Sequence, residues 1–169
     1  MRMPRGIARI FDIVMVMQVT TLCFLIKEDA VCLGRKKRGF GVGKWNGVGG
    51  KVEEGETIKG AAVRELEEEI GVRTEEAHLN PRGVLQFYFD GAPGIKMHIF
   101  CVEQWEREPS ESDEMAPAWF RKGQIPFEEM WVDDPHWLPQ VLEGKKVEGS
   151  FYFVGPNFML HDFSLTVGA

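Results

Sequence analysis

Residues 38–70 place a glycine-rich segment directly before a helix that carries a cluster of glutamates. The segment RGFGVGKWNGVGG (38–50) predicts a loop with backbone angles that residues other than glycine rarely adopt. The helix is predicted over residues 57–70, with Thr57 as its N-cap and Gly71 as its C-cap. Near its end stands RELEEEIG, in which four of eight residues are glutamates whose charges repel one another. The chain must therefore fold a tight loop beside a strongly acidic helix.

A helical wheel places several of these glutamates on the apolar side of the helix. The apolar residues that share one broad arc are Ile58, Ala61, Ala62, Leu66 and Ile70. Glu65 and Glu69 fall within this arc and Glu68 lies beside it, whereas Glu67 points away. An unpaired buried carboxylate costs on the order of several kcal/mol, and Arg64 can offset one charge at most. A divalent cation would offset the rest, and hard oxygen ligands favour Mg²⁺ or Mn²⁺; the alternative is a solvated acidic helix.

The remaining sequence indicates an α/β class, with a mixed sheet and helices on both sides. A second helix is predicted over residues 133–144, with aspartate at its cap and Pro135 in its first turn. A GAPG turn at 91–94 is predicted to join two of the strands. The predicted strands cover residues 19–27, 30–36, 83–90, 95–104, 115–120, 150–154 and 158–165.

Composition narrows the classes of partner and compartment. The chain has 169 residues, which suits one globular domain. Its net charge of −6 argues against binding to a nucleic acid polymer but does not exclude a nucleotide. Three cysteines without CxxC spacing predict buried free thiols in a reducing cytosol and no zinc site.

The basic and then apolar N-terminus superficially resembles an export signal. Its apolar run is short, Asp12 interrupts it, and no small-residue cleavage site follows. The run is also too short to span a membrane. We therefore predict that residues 1–16 are an extension and that residues 17–169 form a single domain, without export or a membrane partner.

The stretch from residue 50 to residue 72 has the spacing of a known motif. Its specified positions, separated by gaps of five, seven, one and one residues, are Gly50, Glu56, Arg64-Glu65-Leu66, Glu68-Glu69 and Gly71-Val72. This spacing resembles the Nudix box without a mismatch, and the chain is identified as a member of the Nudix hydrolase family. The resemblance implies a Nudix α/β/α sandwich and metal-dependent hydrolysis of a diphosphate linked to another group.

The resemblance also implies roles for individual residues. The carboxylates that would supply metal ligands or the general base are Glu65, Glu68 and Glu69. Arg64 would brace them, the carbonyl of Gly49 would join the metal shell, and Glu114 matches a further acid near the metal. The ion implied is Mg²⁺, with Mn²⁺ as an alternative. Lys37 and Arg38 could meet a phosphate tail or form a solvated basic turn.

The similarity extends beyond the Nudix box and covers about residues 19–166. It includes the stretches KKRGFGVGKWNGVGGKVEEGET, ESDEMAPAWF and QIPFEEMWVDD. These stretches resemble the branch of the family that hydrolyses oxidised purine nucleoside triphosphates, such as 8-oxo-dGTP and 2-hydroxy-dATP, to the monophosphate and pyrophosphate. The implied protein is a cytoplasmic monomer that sanitises the nucleotide pool and has no nucleic acid polymer as partner.

Eight positions match the substrate pocket of that branch. They are Thr21, Lys36, Phe40, Asn46, Phe87, Trp131, Asp133 and Asp134. Asn46 and the two aspartates would hydrogen-bond the base, while Trp131 would stack on it. Phe89 matches a second aromatic strand position, and Ile95 departs from the methionine found in that branch.

Alternatives remain open from the residues alone. Trp131 could be a core aromatic, Asp133 and Asp134 could merely cap the next helix, and His98 is a structural histidine rather than a catalyst. At the level of function, the substrate could be ADP-ribose, a dinucleoside polyphosphate or a normal nucleoside triphosphate. A non-catalytic nucleotide-sensing module is a further alternative, which the complete set of costly box carboxylates disfavours.

The similarity begins near Val19, so we expect a chain shortened to start at Met17 to fold and to hydrolyse substrate as the full chain does. Thermal unfolding and steady-state kinetics of the two chains would check this. A large loss of activity on shortening would show that residues 1–16 pack on the sheet or the pocket.

Overall fold

A mixed sheet organises residues 16–169, the part of the chain that this computed structural model describes. The interpretation of residues 1–16 as an extension therefore lies, except for Val16, outside the described residues. The strands are β1 (Gln18–Lys27), β2 (Ala30–Lys36), β3 (Trp45–Asn46), β4 (Leu79–Phe89), β5 (Ala92–Val102), β6 (Met115–Arg121), β7 (Lys146–Val154) and β8 (Met159–Gly168). Their order is β3-β2-β1-β5-β4-β7-β8, with β6 paired to β2. The β1–β5 and β4–β7 pairs are parallel and the others are antiparallel, which confirms the mixed sheet.

Two helices cover opposite faces of this sheet. The helices are α1 (Ile58–Ile70) and α2 (Asp134–Leu142). Side chains alternate along β1, so that Leu22 and Phe24 join the core under α2, whereas Cys23 and Leu25 join the core under α1. This arrangement is the predicted α/β/α sandwich.

The predicted free thiols are confirmed, because Cys23, Cys32 and Cys101 are buried and form no disulfides.

No helix within residues 16–169 is long and apolar enough to cross a membrane.

The β4–β5 hairpin differs from its prediction. Its turn is Asp90–Gly91, where both residues have positive φ, as two-residue hairpin turns of the right twist require. The predicted GAPG turn is therefore wrong beyond Gly91, because β5 already begins at Ala92. Strand β4 also begins at Leu79, earlier than the predicted residue 83, and a register shift between Pro81 and Gly83 accommodates the proline within the strand.

The segment after β3 inserts between β1 and β2. These two strands pair directly only near their hairpin, at Leu25–Lys27 and Ala30–Cys32. Farther along, the Cys23 N–H donates to the Val48 carbonyl (2.7 Å) and the Thr21 N–H donates to the Gly50 carbonyl (2.9 Å). The end of the glycine-rich loop is thereby fixed against the middle of β1, next to α1.

Gly49 sits where this insertion is tightest. A Cβ at Gly49 would collide with the backbone carbonyl of Thr21, which belongs to the sheet and cannot easily move. We expect Gly49→Ala to lower the free energy of unfolding by about 1–3 kcal/mol, the usual range for overpacking. Urea unfolding would measure this, with Gly123→Ala as the matched control, because a Cβ there meets open space. Equal stability of the two variants would contradict the close approach.

Candidate active site

Helix α1 begins and ends as the sequence predicts. The Thr57 hydroxyl accepts a hydrogen bond from the Gly60 N–H (3.0 Å), and Gly71 adopts a left-handed conformation with φ of 69°. Ala61, Ala62, Leu66 and Ile70 are buried, which confirms the apolar arc. Glu65 and Glu69 are half-buried within that arc. The prediction for Glu68 is wrong in part, because its side chain is 59% exposed.

Arg64 organises the acidic side chains around it. Its guanidinium donates two hydrogen bonds to Glu56, both 2.8 Å long, and a third to the Lys51 carbonyl (3.0 Å). It also donates to Glu65 (2.9 Å) and to Glu68 (3.1 Å). Arg64 carries one positive charge and so offsets one negative charge at most, as expected, but the planar fork of its guanidinium reaches three carboxylates at once. The resemblance to the Nudix box implies that Arg64 braces the glutamates. This role stays a prediction, and the hydrogen bonds above are compatible with it.

Glu69 is the carboxylate that Arg64 does not reach. Its Oε2 atom is buried and has no hydrogen-bond partner among the described residues. Burial, together with the negative charge of Glu65, raises the pKa of Glu69 to about 7, although the charge of Lys36 opposes this shift. A carboxyl with this pKa exchanges protons readily at neutral pH.

The residues around Glu69 suit a hard cation. Burial also raises the pKa of Glu65. The backbone of Gly50 lies so close to Glu65 that a Cβ there would come within 2.5 Å of its Oε1 atom. Within residues 16–169 no three acidic, histidine or cysteine side chains converge on one point that could hold a metal, because Arg64 holds Glu65 and Glu68. The donor set nevertheless fits a divalent ion: a buried, unpartnered carboxylate oxygen, a second desolvated carboxylate and the adjoining loop carbonyls are ligands that Mg²⁺ favours.

The acid Glu114 is bound to Arg38. The Arg38 Nε donates to the Glu114 carboxylate at 2.8 Å, and a second guanidinium nitrogen contacts the same oxygen. This ion pair lowers the pKa of Glu114. Lys37 likewise bonds Glu111 and the Ser112 carbonyl. The basic pair therefore ties the start of the glycine-rich loop to residues 111–114 and is not free for phosphate in this structure.

A cavity of about 240 Å³ opens beside this acidic group. All eight residues predicted to bind substrate line it: Thr21, Lys36, Phe40, Asn46, Phe87, Trp131, Asp133 and Asp134. Gly49, Gly50 and Glu69 line the same cavity, so that it is continuous with the box helix. Ile95 and Phe89 also contribute to its wall, as expected. His98 lies outside this cavity and lines a separate polar groove together with Lys96.

Two adjacent carboxyls form the deepest polar feature of the cavity. Asp133 and Asp134 are only 4% and 2% exposed. The Trp137 indole N–H donates to Asp133 (2.8 Å), whereas Asp134 Oδ2 has no partner among residues 16–169. Burial raises the pKa of both carboxyls, and the charge of Asp133 raises the pKa of Asp134 further, so the pair is suited to sharing one proton. Asp133 occupies the N-cap position of α2 but makes no side-chain cap hydrogen bond, which removes the helix-cap alternative for it.

The other polar atoms of the cavity are directed donors and acceptors. The Asn46 side-chain oxygen accepts from the Gly47 N–H (2.8 Å), and its amide N–H groups have no partner among the described residues. The buried Thr21 hydroxyl also has no partner there. A buried polar atom without a partner, such as the Thr21 hydroxyl, is costly in a folded protein and calls for an explanation such as a bound water, ion or ligand.

Several cavity residues escaped the sequence analysis. They are Leu22, Lys44, Met97, Trp137, Phe153 and Phe158. Lys44 places its ammonium 5.0 Å from the centre of the Trp131 ring, and Trp137 fixes Asp133. Trp137 follows Asp133 by four residues, one helical turn, and this spacing is the one signal that could have predicted a contact.

Comparison with known proteins agrees with this geometry. The sequence model of the NUDIX domain family matches residues 16–141. The oxidized purine nucleoside triphosphate hydrolase of Danio rerio is 48% identical over 144 residues, which cover 85% of this chain and 91% of that protein. The mouse protein of the same name is 47% identical over 141 residues, covering 83% and 89% of the two chains. Among solved structures, a mutator MutT protein from Bacillus halodurans superposes with a TM-score of 0.74 at 27% identity, covering 88% of this chain and 97% of that one.

Proposed function

The chain belongs to the Nudix hydrolase family, and from that premise we propose that it hydrolyses oxidised purine nucleoside triphosphates to the monophosphate and pyrophosphate. The substrates proposed are 8-oxo-dGTP and 2-hydroxy-dATP. Relatives that carry the name oxidized purine nucleoside triphosphate hydrolase align with 85% and 83% of this chain at 48% and 47% identity. The reaction would remove damaged nucleotides from the cytoplasmic pool. We further propose a monomer, whose net charge of −6 disfavours a nucleic acid polymer as partner.

The observation that carries the substrate assignment is the buried acid pair inside an aromatic cavity. An oxidised guanine presents N–H donors at N1 and N2 and an acceptor at O6. The protonated acid of the pair can donate to the acceptor while the ionised one takes the N–H donors, and Asp133 and Asp134 can redistribute their one proton for an oxidised adenine. The indole of Trp131 offers a stacking surface for the planar base.

Discrimination against normal guanine requires another group, because guanine has the same pairing edge. Asn46 supplies amide N–H donors that have no partner among the described residues. Asn46 and the shape of the surrounding cavity are therefore the elements that we assign to recognition of the oxidised position.

Helix α1 reaches the cavity at Glu69, and we assign this end of the cavity to the phosphates of the substrate. We propose that Glu65, Glu68, Glu69 and the Gly49 carbonyl hold Mg²⁺, with Mn²⁺ as an alternative, and that Glu114 joins them once it is released from Arg38. When bound, the cation supplies positive charge that neutralises phosphate oxygens and acidifies water. A carboxylate oxygen of Glu69 that does not bind the ion could accept a proton from the attacking water. Lys36, which lines the same cavity, is the cation available to the phosphates.

A substrate panel tests this proposal. Initial rates are measured with 8-oxo-dGTP, 2-hydroxy-dATP, dGTP and ADP-ribose in Mg²⁺, and products are separated by anion exchange. We expect the two oxidised triphosphates to have the highest kcat/KM and to yield monophosphate and pyrophosphate. Chelation of the metal should abolish turnover, and added Mg²⁺ should restore it. A preference for ADP-ribose or dGTP would overturn the substrate assignment, and no turnover of any nucleotide would favour a sensing module.

A further inference from the structure

The turn between β7 and β8 holds a bulky residue in an unusual backbone conformation. Phe158 has a φ of 50°, within the left-handed region that aromatic residues rarely adopt. The other non-glycine residues with positive φ among residues 16–169 are the polar Glu28, Asp90 and Arg107. Strain of this kind persists where surrounding contacts hold the residue, and such positions concentrate at ligand sites.

Three aromatic residues that line the cavity contact the ring of Phe158. Its ring lines the cavity wall. The ring of Phe158 packs edge-to-face against three other rings. Its centroid lies 5.5 Å from that of Phe40, 5.6 Å from that of Phe89 and 6.0 Å from that of Trp131. These are the separations and near-perpendicular angles at which aromatic pairs attract one another. Phe158 thus joins the β7–β8 turn to the wall on which the base would stack.

Phe40 lies largely exposed in the glycine-rich loop, where neighbouring aromatic rings supply contacts for its side chain. Gly39, Gly41 and Gly43 of the surrounding loop all have positive φ, and the Phe40 side chain is 59% exposed. The ring stacks on Trp131 at 5.1 Å and meets Phe158 edge-on, and these two contacts hold it over the mouth of the cavity. A residue that fixes Phe40 would lower the conformational cost of closing the wall around a ligand.

We propose that Phe158 is a positioning residue for nucleotide binding. It holds Phe40 against Trp131, so that the mouth of the cavity is formed before the base enters. The inference rests on the proposed function in one respect, namely that the planar group in the cavity is the base of the substrate.

The variant Phe158→Asn separates this role from a structural one. Asparagine tolerates the left-handed conformation, so the backbone strain falls while the ring is lost. We expect Tm to change little, because the relief of backbone strain opposes the loss of the ring contacts. We expect KM for the preferred nucleotide to rise about 3- to 10-fold, as loss of an aromatic contact implies. We expect kcat to change less than about twofold, since a contact made equally in ground and transition states alters KM alone. Glu28→Asn is the matched control, because Glu28 has a φ of 56° in the β1–β2 turn and does not line the cavity.

A double-mutant cycle tests the link to Phe40. Phe40→Ala alone should raise KM, and it should add little in the Phe158→Asn background, because the two rings act as one unit. Unchanged KM in Phe158→Asn, or additive effects of the two changes, would overturn the inference while leaving the proposed substrate intact. If the wild type prefers another nucleotide, the proposed substrate fails, and the same cycle on that nucleotide still decides the role of Phe158. Phe158→Gly, which adopts this φ without strain, replaces the asparagine variant if the latter does not fold.

Discussion

Glu69→Gln is expected to lower kcat by at least ~100-fold, the scale of one catalytic electrostatic contact, while leaving the fold intact. Glutamine has nearly the same shape but cannot accept the proton of an attacking water, and it is a poorer ligand for a hard cation. The buried Oε2 atom has no protein partner within residues 16–169, so no native hydrogen bond is lost there. Steady-state kinetics in saturating Mg²⁺ and circular dichroism would measure the two effects.

The same substitution should change stability in a pH-dependent manner when metal is absent. The pKa of Glu69 rises in the folded protein from the ordinary 4.5 to about 7, so the folded state binds the proton more tightly than the unfolded state. The wild-type free energy of unfolding should therefore fall as pH rises between these two values. Glutamine removes this cost, so the variant should equal or exceed the wild type in Tm above pH 7, and the advantage should shrink below pH 4.5.

Glu67→Gln is the matched control for both measurements. Glu67 lies on the same helix but is exposed and pairs with Arg73 (3.0 Å), away from the cavity. We expect near wild-type kcat and no pH-dependent gain in Tm for this variant. Wild-type rates in Glu69→Gln, or equal losses in both variants, would contradict the role given to Glu69.

Asp134→Asn is expected to weaken turnover of 8-oxo-dGTP by roughly 10- to 100-fold in kcat/KM, as loss of a hydrogen-bonded buried carboxyl implies. Asparagine fixes one arrangement of donor and acceptor, whereas the native pair can move its proton. Asp133→Asn should act in the same direction and also weaken the bond that the carboxylate accepts from Trp137. Both variants should change the ratio of 8-oxo-dGTP to 2-hydroxy-dATP turnover, because the two bases require different proton positions.

The control for this pair is Asp29→Asn in the exposed β1–β2 turn, which should leave every rate unchanged. Rates are compared on both oxidised substrates and on dGTP, so that a change of preference is separated from a general loss of activity. If the two buried variants keep the wild-type rates and ratio on every substrate, the base is read elsewhere in the cavity.

Local patterns predicted the parts of this site that depend on spacing along the chain. The caps Thr57 and Gly71 and the buried arc of α1 follow from helical periodicity, which needs no tertiary information. The three carboxylates around Arg64 did not follow, because Glu56 reaches Arg64 only through the path of the loop before α1. A helical wheel shows only residues within the helix, so it cannot place Glu56, which precedes α1.

Contacts between distant elements were also beyond the sequence. Phe158 meets Phe40 because a hairpin turn and a glycine-rich loop, far apart in the chain, converge at one end of the sheet. The positive φ of Phe158 contradicts its residue type, so turn rules predict no such residue there. Similarly, the resemblance placed Glu114 near a metal but did not predict its ion pair with Arg38. That ion pair depends on how residues 111–114 pack beside the glycine-rich loop.

Competition between two substrates in one vessel tests the central claim most directly. Equal concentrations of 8-oxo-dGTP and dGTP are incubated with the enzyme and Mg²⁺, and both are followed with their monophosphates and pyrophosphate. The account predicts that 8-oxo-dGTP is consumed first, with one pyrophosphate per monophosphate, and that this preference falls in the variants of Asp133 and Asp134. Equal consumption of the two nucleotides by the wild type, or release of inorganic phosphate instead of pyrophosphate, would contradict it.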